Sequence, residues 1–249
     1  MAKNKEWNGI ETFNWQGFDW IKRPLWGINH TKDDLTYIDE NMVTISNEGY
    51  LVLDFQNNPK PLPSADGSII EKQYGRASCR CVDEFKYGTF EWEMKCPYGN
   101  YLWPALWFES DYSWPPEIDC MEGWSEKSPK YIKKILFRNI KPTMHWSKDG
   151  KHMEETKNNV LICNLKCGDN FDKYKVVWSP KYVKVFYNNI LIKKFTNKDM
   201  LDEMNKQEVK FHPVMSIKPY GKFSKSDYEN YIKNYNNKMI IKSFKYLPL

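Results

Sequence analysis

Glu117, Asp119 and Glu122 fall within six residues of the segment Trp114-Pro115-Pro116-Glu117-Ile118-Asp119-Cys120-Met121-Glu122-Gly123-Trp124. In a regular strand successive side chains alternate between faces. Glu117 and Asp119 then share one face, Ile118 and Cys120 take the other, and Glu122 points the wrong way. One extra residue at Cys120-Met121, a β-bulge, returns Glu122 to the face of the other two acids. Carboxyl groups crowded in this way oppose each other's ionisation, so at least one is expected to keep its proton. One ionised and one protonated carboxyl are what cleavage of a glycosidic bond requires, the first to attack or stabilise the sugar carbon and the second to protonate the leaving oxygen. The same spacing also fits an acidic strand edge facing water, or a calcium site.

The elements that must carry these residues read as short strands. Asn41–Ile45 leads through Asn47-Glu48-Gly49 into Tyr50–Phe55 as a hairpin, and Thr89–Met94 alternates with period two. Tyr174–Trp178 and Val183–Tyr187 flank a Ser179-Pro180-Lys181 turn, Asn188-Asn189 turns into Ile190–Ile192, and Met239–Tyr246 closes the chain. Helix signals are confined to Asp199–Gln207 and to Asp227–Tyr235, where a tyrosine-rich loop fits equally well. Many strands with almost no helix predict an all-β sandwich or barrel. No internal repeat and no Gly/Ser- or Pro-rich linker divides the sequence, so one domain over 1–249 is expected.

Around the acids lie Tyr87-Gly88-Thr89-Phe90-Glu91 and Trp103-Pro104-Ala105-Leu106-Trp107. With the bulged acid motif, this order resembles glycoside hydrolase family 16, in the laminarinase-type β-1,3-glucanase form rather than the shorter lichenase form. The resemblance extends from the Asn41–Leu53 segment through Gly75-Arg76, Thr143-Met144-His145-Trp146 and Tyr174–Asn189 to Met239–Tyr246. It implies a β-jelly-roll of two curved antiparallel sheets with a concave substrate cleft, and an endo-acting, retaining hydrolase of β-1,3- or β-1,3/1,4-glucans. A transglycosylase, an agarase-like galactan hydrolase and a glucan-binding protein without activity share the scaffold. By the same resemblance Glu117 matches the nucleophile, Glu122 the acid/base and Asp119 the acid between them. Asn41 and Arg76 match residues lining the subsites beside the cleavage point, and His145 matches a histidine near the acid/base. Trp103, Trp107, Trp114 and Trp124 are candidates to stack on sugar rings, with Trp107 divided between core and cleft, whereas Trp92 and Trp178 are assigned to the core. The chain departs from the pattern at Pro116, where the family has Gly, at Ser216, Lys218 and Tyr220, and at Lys242, which stands where many members carry an aspartate that helps hold a structural calcium.

Composition bounds the remainder. The chain has 249 residues with 16% aromatics and 11 Trp, which suits a β-rich core, a sugar-binding face, or both. The net charge of +5 comes from scattered lysines, with arginine only at 23, 76, 80 and 138, so no nucleic-acid partner is expected. No run approaches the ~18 apolar residues of a membrane span. Six cysteines without a Cys-x-x-Cys pair and without a secretory signal are expected to be free thiols, not disulfides or a zinc site. No cofactor and no metal are expected, and a monomer acting on a polysaccharide is the expected working form. The missing signal fits a protein kept in a reducing cytoplasm, and equally one released by lysis or carried on a virus particle.

Overall fold

The computed structural model describes residues 6–7, 9–24, 35–64, 67–97, 102–124, 137–156, 160–163, 170–219, 224–233 and 237–249. Alternation dictates its two large sheets. In Gly88–Lys95, Phe90, Trp92 and Met94 are fully buried while Glu91 and Glu93 lie on the other face. This strand pairs antiparallel with Asp172–Ser179 on one side and Met239–Leu247 on the other. Among the described residues the sheet has seven strands and ends at Ile190–Phe195 and Val43–Ile45.

The second sheet has ten strands among the described residues. Its middle runs Lys151–Thr156, Thr143–Lys148, Glu117–Trp124, Leu102–Glu109, His212–Pro219, Ser78–Cys81. Leu106 and Phe108 face inward, where Phe108 lies 4.8 Å from Phe90 and 5.6 Å from Trp92 between ring centroids. Trp20 meets Phe244 edge-on at 5.4 Å. These aromatic contacts across the two sheets make the core, and Trp92 and Trp178 belong to it as expected. A third sheet has the order Thr36–Ile38, Ile69–Arg76, Phe55–Pro63, so Arg76 ends its middle strand between Ile38 and Phe55.

The turns follow from backbone chemistry. Asp149-Gly150 and Asn188-Asn189 both have positive φ, the requirement of tight hairpin turns that match strand twist. Gly88 is demanded sterically as well as conformationally. A Cβ there would lie 2.4 Å from the Tyr246 ring and 2.7 Å from the Leu247 carbonyl oxygen.

Some expectations shift. Asn41 and Met42 are not in a strand but in the short 3-10 turn Glu40–Met42, because the Asp39 carboxylate accepts a hydrogen bond from the Asn41 amide at 3.0 Å. The hairpin itself forms between Val43–Ile45 and Leu51–Leu53. The helices are Lys198–Met204 and Lys225–Tyr231, the second started by a Ser224/Asp227 capping box. Cys79, Cys81, Cys96 and Cys120 are free and buried, while the side chains of Cys163 and Cys167 lie outside the described residues. No helix among the described residues is long and apolar enough to cross a membrane.

At the position where the resemblance implies a calcium-holding aspartate, the Lys242 ammonium pairs with Glu93 at 2.8 Å. An ammonium on the ligand side repels a hard cation and offers it no oxygen, so these residues do not fit calcium. Thermal melts in excess calcium and in a chelator should therefore coincide, because a ligand that does not bind the native state does not stabilise it. A rise of several degrees with calcium would contradict this.

Candidate functional site

The strand Glu117–Trp124 is bulged where the acid spacing requires it. Leu106 pairs with Met121 and Trp107 with Asp119, so two residues of one strand span one step of the other at Cys120. Ile118, Cys120 and Met121 all enter the core, at 1%, 0% and 0% exposure. Glu117, Asp119 and Glu122 are left on the outward face of the ten-stranded sheet. Their cross-strand neighbours are set by register. Glu117 lies between Glu109 and His145, Asp119 between Trp107 and Thr143, and Glu122 opposite Ala105.

Asp119 is the most enclosed of the three. Burial, and then the charge of Glu122, push its carboxyl well above the usual range. Burial and then Asp119 push Glu117 up to about 8. Burial raises Glu122 as well, with Lys141 opposing and Glu117 adding to the rise. The three acids therefore titrate as a coupled set that holds its protons to higher pH than isolated carboxyls do.

Polar groups fix their orientation. The Trp114 indole N–H donates to Glu117 Oε2 at 2.9 Å. His145 Nε2 lies 3.0 Å from Asp119 Oδ2 and 3.9 Å from Glu117 Oε1, and its Nδ1 lies 2.9 Å from His152 Nε2. The Trp114 ring packs on His152 at 5.0 Å between centroids. Thr143 Oγ1 donates to Glu122 Oε2 at 3.5 Å. The Trp107 indole donates to Ser216 Oγ at 3.2 Å.

The structure thus gathers Glu117, Asp119, Glu122, His145, Trp107 and Trp114 on one face. Trp103 lies on the same strand as Trp107, with the Lys218 ammonium 4.1 Å from its ring centroid. Arg76 comes from the third sheet, and burial first, then its guanidinium, lower the pKa of Lys218 against the pull of the three acids. Asn41 is exposed on its 3-10 turn beside Asp39. Trp124 ends the acid strand, and its side chain lies outside the described residues, as does Tyr220.

Several groups at this face were not singled out from the sequence as site residues. His152 reaches His145 because the Asp149-Gly150 turn pairs Lys148 with Lys151, which makes the two histidines diagonal neighbours. That turn was a readable signal. A buried ionic network adjoins Glu117. Fully buried Arg80 bonds Glu109 Oε1 at 2.6 Å and also Asp111, which lies 3.4 Å from His212 Nε2. No local pattern joins those residues, since they come from three strands and a loop.

The raised acids have a consequence for stability. The fold favours their protonated forms, so their contribution is full below the ordinary carboxylate range and is lost as pH rises toward 8, where Glu117 gives up its proton. Glu117→Gln removes one of these losses. The variant should melt several degrees higher than the wild-type chain at pH 8, a gain on the order of 2 kcal/mol, and match it more closely near pH 4. Parallel melting temperatures across that range would contradict the raised state of Glu117.

Comparison with known proteins places this arrangement. A relative from Rhizobium meliloti, the endo-1,3-1,4-beta-glycanase ExsH, is 28% identical over 120 residues, 47% of this chain and 23% of that protein. The matched stretches take up only 23%, 22% and 40% of the curated relatives' lengths. The laminarinase catalytic domain from Thermotoga maritima superposes with a TM-score of 0.65 at 19% identity, over 92% of this chain and 91% of that one. A Bacteroides ovatus mixed linkage glucan family 16 enzyme, in complex with product, gives 0.64 at 19% identity, over 92% and 94%. These structures share the jelly-roll sandwich of two packed antiparallel sheets. Residues 31–221 match the model of glycosyl hydrolases family 16, and the chain belongs to that family.

Proposed function

We propose that the chain is an endo-acting, retaining glycoside hydrolase that cuts internal β-linkages of a β-1,3- or β-1,3/1,4-glucan backbone. The observation that carries this reading is the bulged strand, which lines three proton-sharing carboxyls along one open sheet face. The relatives named glucan endo-1,3-beta-glucosidase A1 and beta-glucanase support the glucan backbone.

In this reading the proton that Glu117 and Asp119 share across their hydrogen bond passes to Asp119, the most enclosed acid, when substrate binds, which leaves Glu117 as the anion. The Trp114 indole N–H, which donates to Glu117 Oε2, favours that anion. The histidine contacts are compatible with this state: with each imidazole in its Nε2–H tautomer, His152 would donate to His145 Nδ1 and His145 to Asp119 Oδ2. The Glu117 anion attacks the anomeric carbon and forms a covalent glycosyl-enzyme as the C–O bond to the leaving sugar breaks. Glu122, protonated through burial, gives its proton to the leaving oxygen and then takes one from the water that releases the sugar. Trp114, exposed beside Glu117, and Trp107, half-buried one rung away, offer faces for sugar rings.

Glu117→Gln and Glu122→Gln should each lower turnover by several powers of ten with the fold intact, since each removes one member of a cooperating pair. A variant that keeps more than about a tenth of the wild-type rate would remove that residue from its role. Retention is tested separately. Proton NMR of the first reducing ends released from a β-glucan should show the β-anomer. An initial α-anomer would mean inversion, in which carboxyls stand about 6.5–9.5 Å apart with a water between them.

A further inference from the structure

The strand beside the acids turns back as a hairpin, and the hairpin gathers a second set of donors on one face. Thr143–Lys148 pairs antiparallel with Lys151–Thr156, the end strand of the ten-stranded sheet among the described residues. In that register Glu154 lies opposite His145 and His152 lies opposite Ser147, so His145, His152 and Glu154 share one face. His145 Nδ1 lies 2.9 Å from His152 Nε2 and 4.0 Å from Glu154 Oε2. One ligand atom from each residue falls within a span of 4.8 Å. The histidines stand seven residues apart, a spacing that gains its meaning only from the Asp149-Gly150 turn.

Two imidazole nitrogens and one carboxylate oxygen are the donors of zinc sites that keep a fourth position for water. A tetrahedral ion with bonds of about 2.0–2.1 Å sets its ligand atoms about 3.3 Å apart. The two histidine nitrogens stand just inside that separation and the Glu154 oxygen just outside it. His152 and Glu154 are exposed, so both side chains can turn to meet an ion. On the far side of the His145 ring, Nε2 lies 3.0 Å from Asp119 Oδ2. A carboxyl oxygen there holds the ring proton on Nε2 and leaves the Nδ1 lone pair facing the other two ligands, an outer contact typical of metal-bound histidines. Among the described residues Glu154 pairs with no lysine or arginine. The cluster of Glu84, Asp111 and His212 differs on this point, because Lys210 pairs with Glu84 and Arg80 with Asp111, so the protein's own cations already serve those acids.

We infer that His145 Nδ1, His152 Nε2 and the Glu154 carboxylate form a binding site for a divalent ion of the zinc class, with water in the fourth position. These ligands hold an ion whether or not the chain is a hydrolase. Imidazole donors suit zinc, nickel and copper, whereas magnesium and calcium prefer oxygen. Binding needs the lone pair of His152 Nε2, so that ring carries its proton on Nδ1 when the ion is present. His145 keeps its proton on Nε2, toward Asp119. The ion ties the end strand to Thr143–Lys148 by side chains as well as by the backbone ladder, and so braces the hairpin beside the acids.

The test is calorimetric titration of the full chain, without an affinity tag, with zinc chloride at about pH 7.5, where free imidazole is mostly neutral. Zinc should bind with a Kd of roughly micromolar order, and excess zinc should raise the melting temperature by a few degrees. His152→Ala should weaken zinc binding at least about tenfold, and Glu154→Gln at least about threefold. Superimposable melts in a chelator establish that both variants fold. Cobalt(II) gives a second readout, because the intense visible bands of a tetrahedral site should appear with the wild-type chain and be lost with His152→Ala. Magnesium and calcium should give neither binding heat nor a change in melting. No zinc binding by the wild-type chain overturns the inference, and so does a zinc affinity that either variant leaves unchanged.

Discussion

One inserted residue in one strand governs the site. Without the bulge at Cys120, strict alternation sends Glu122 into the core and Met121 out to solvent. A lone carboxyl in the apolar core would be expensive to bury, and an exposed Met121 would forfeit its packing. With the bulge, Ile118, Cys120 and Met121 all pack inward and the three acids all face outward. The core thus enforces the chemistry, because the register that satisfies the apolar residues is the one that lines up the carboxyls. A slip by one residue would invert both faces at once.

The electrostatic state of the acids follows from that geometry. Three carboxyls on one short stretch do not all ionise, and burial decides which keeps its proton. Asp119 sits deepest, between Trp107 and Thr143 in register, with His145 on its outer oxygen. His152 leads from His145 toward the surface under the Trp114 ring, so the most enclosed acid remains connected to solvent through two imidazoles. On the far side of Glu117, Glu109 is held by Arg80 at 2.6 Å. That cation compensates Glu109, which spares Glu117 a fourth uncompensated carboxylate beside it.

Local rules made part of this legible from the residues. Period-two alternation identified the strand Gly88–Lys95 and its inward Trp92. The mismatch of Glu-x-Asp-x-x-Glu with that period identified the bulge before any pairing was known. The 3-10 turn at Asn41 was missed because a strand-like composition was outweighed by a side chain, Asp39, capturing the backbone amide two residues on. The Arg80, Glu109, Asp111 and His212 network was missed for a different reason. Its members meet only because Ser78–Cys81 and Leu102–Glu109 both flank His212–Pro219, an order of strands that no nearby residue encodes.

The contrast between neighbouring rungs shows how this fold separates reaction from recognition. The rung of Glu122 is tied to the core through the bulge, so its residues are not free to change without repacking Met121 and its neighbours. On His212–Pro219, the inward residues Met215 and Ile217 are fully buried, while Ser216 and Lys218 between them touch only the outward face. Exchanging the outward pair alters charge and hydrogen bonding beside the acids and leaves the sandwich unaltered. A strand of this kind acts as a cassette, in which one set of alternating positions is committed to the core and the other to the face that carries the acids. Lys218 illustrates it, since this outward residue places its ammonium 4.1 Å from the Trp103 ring centroid, one rung from the carboxyls.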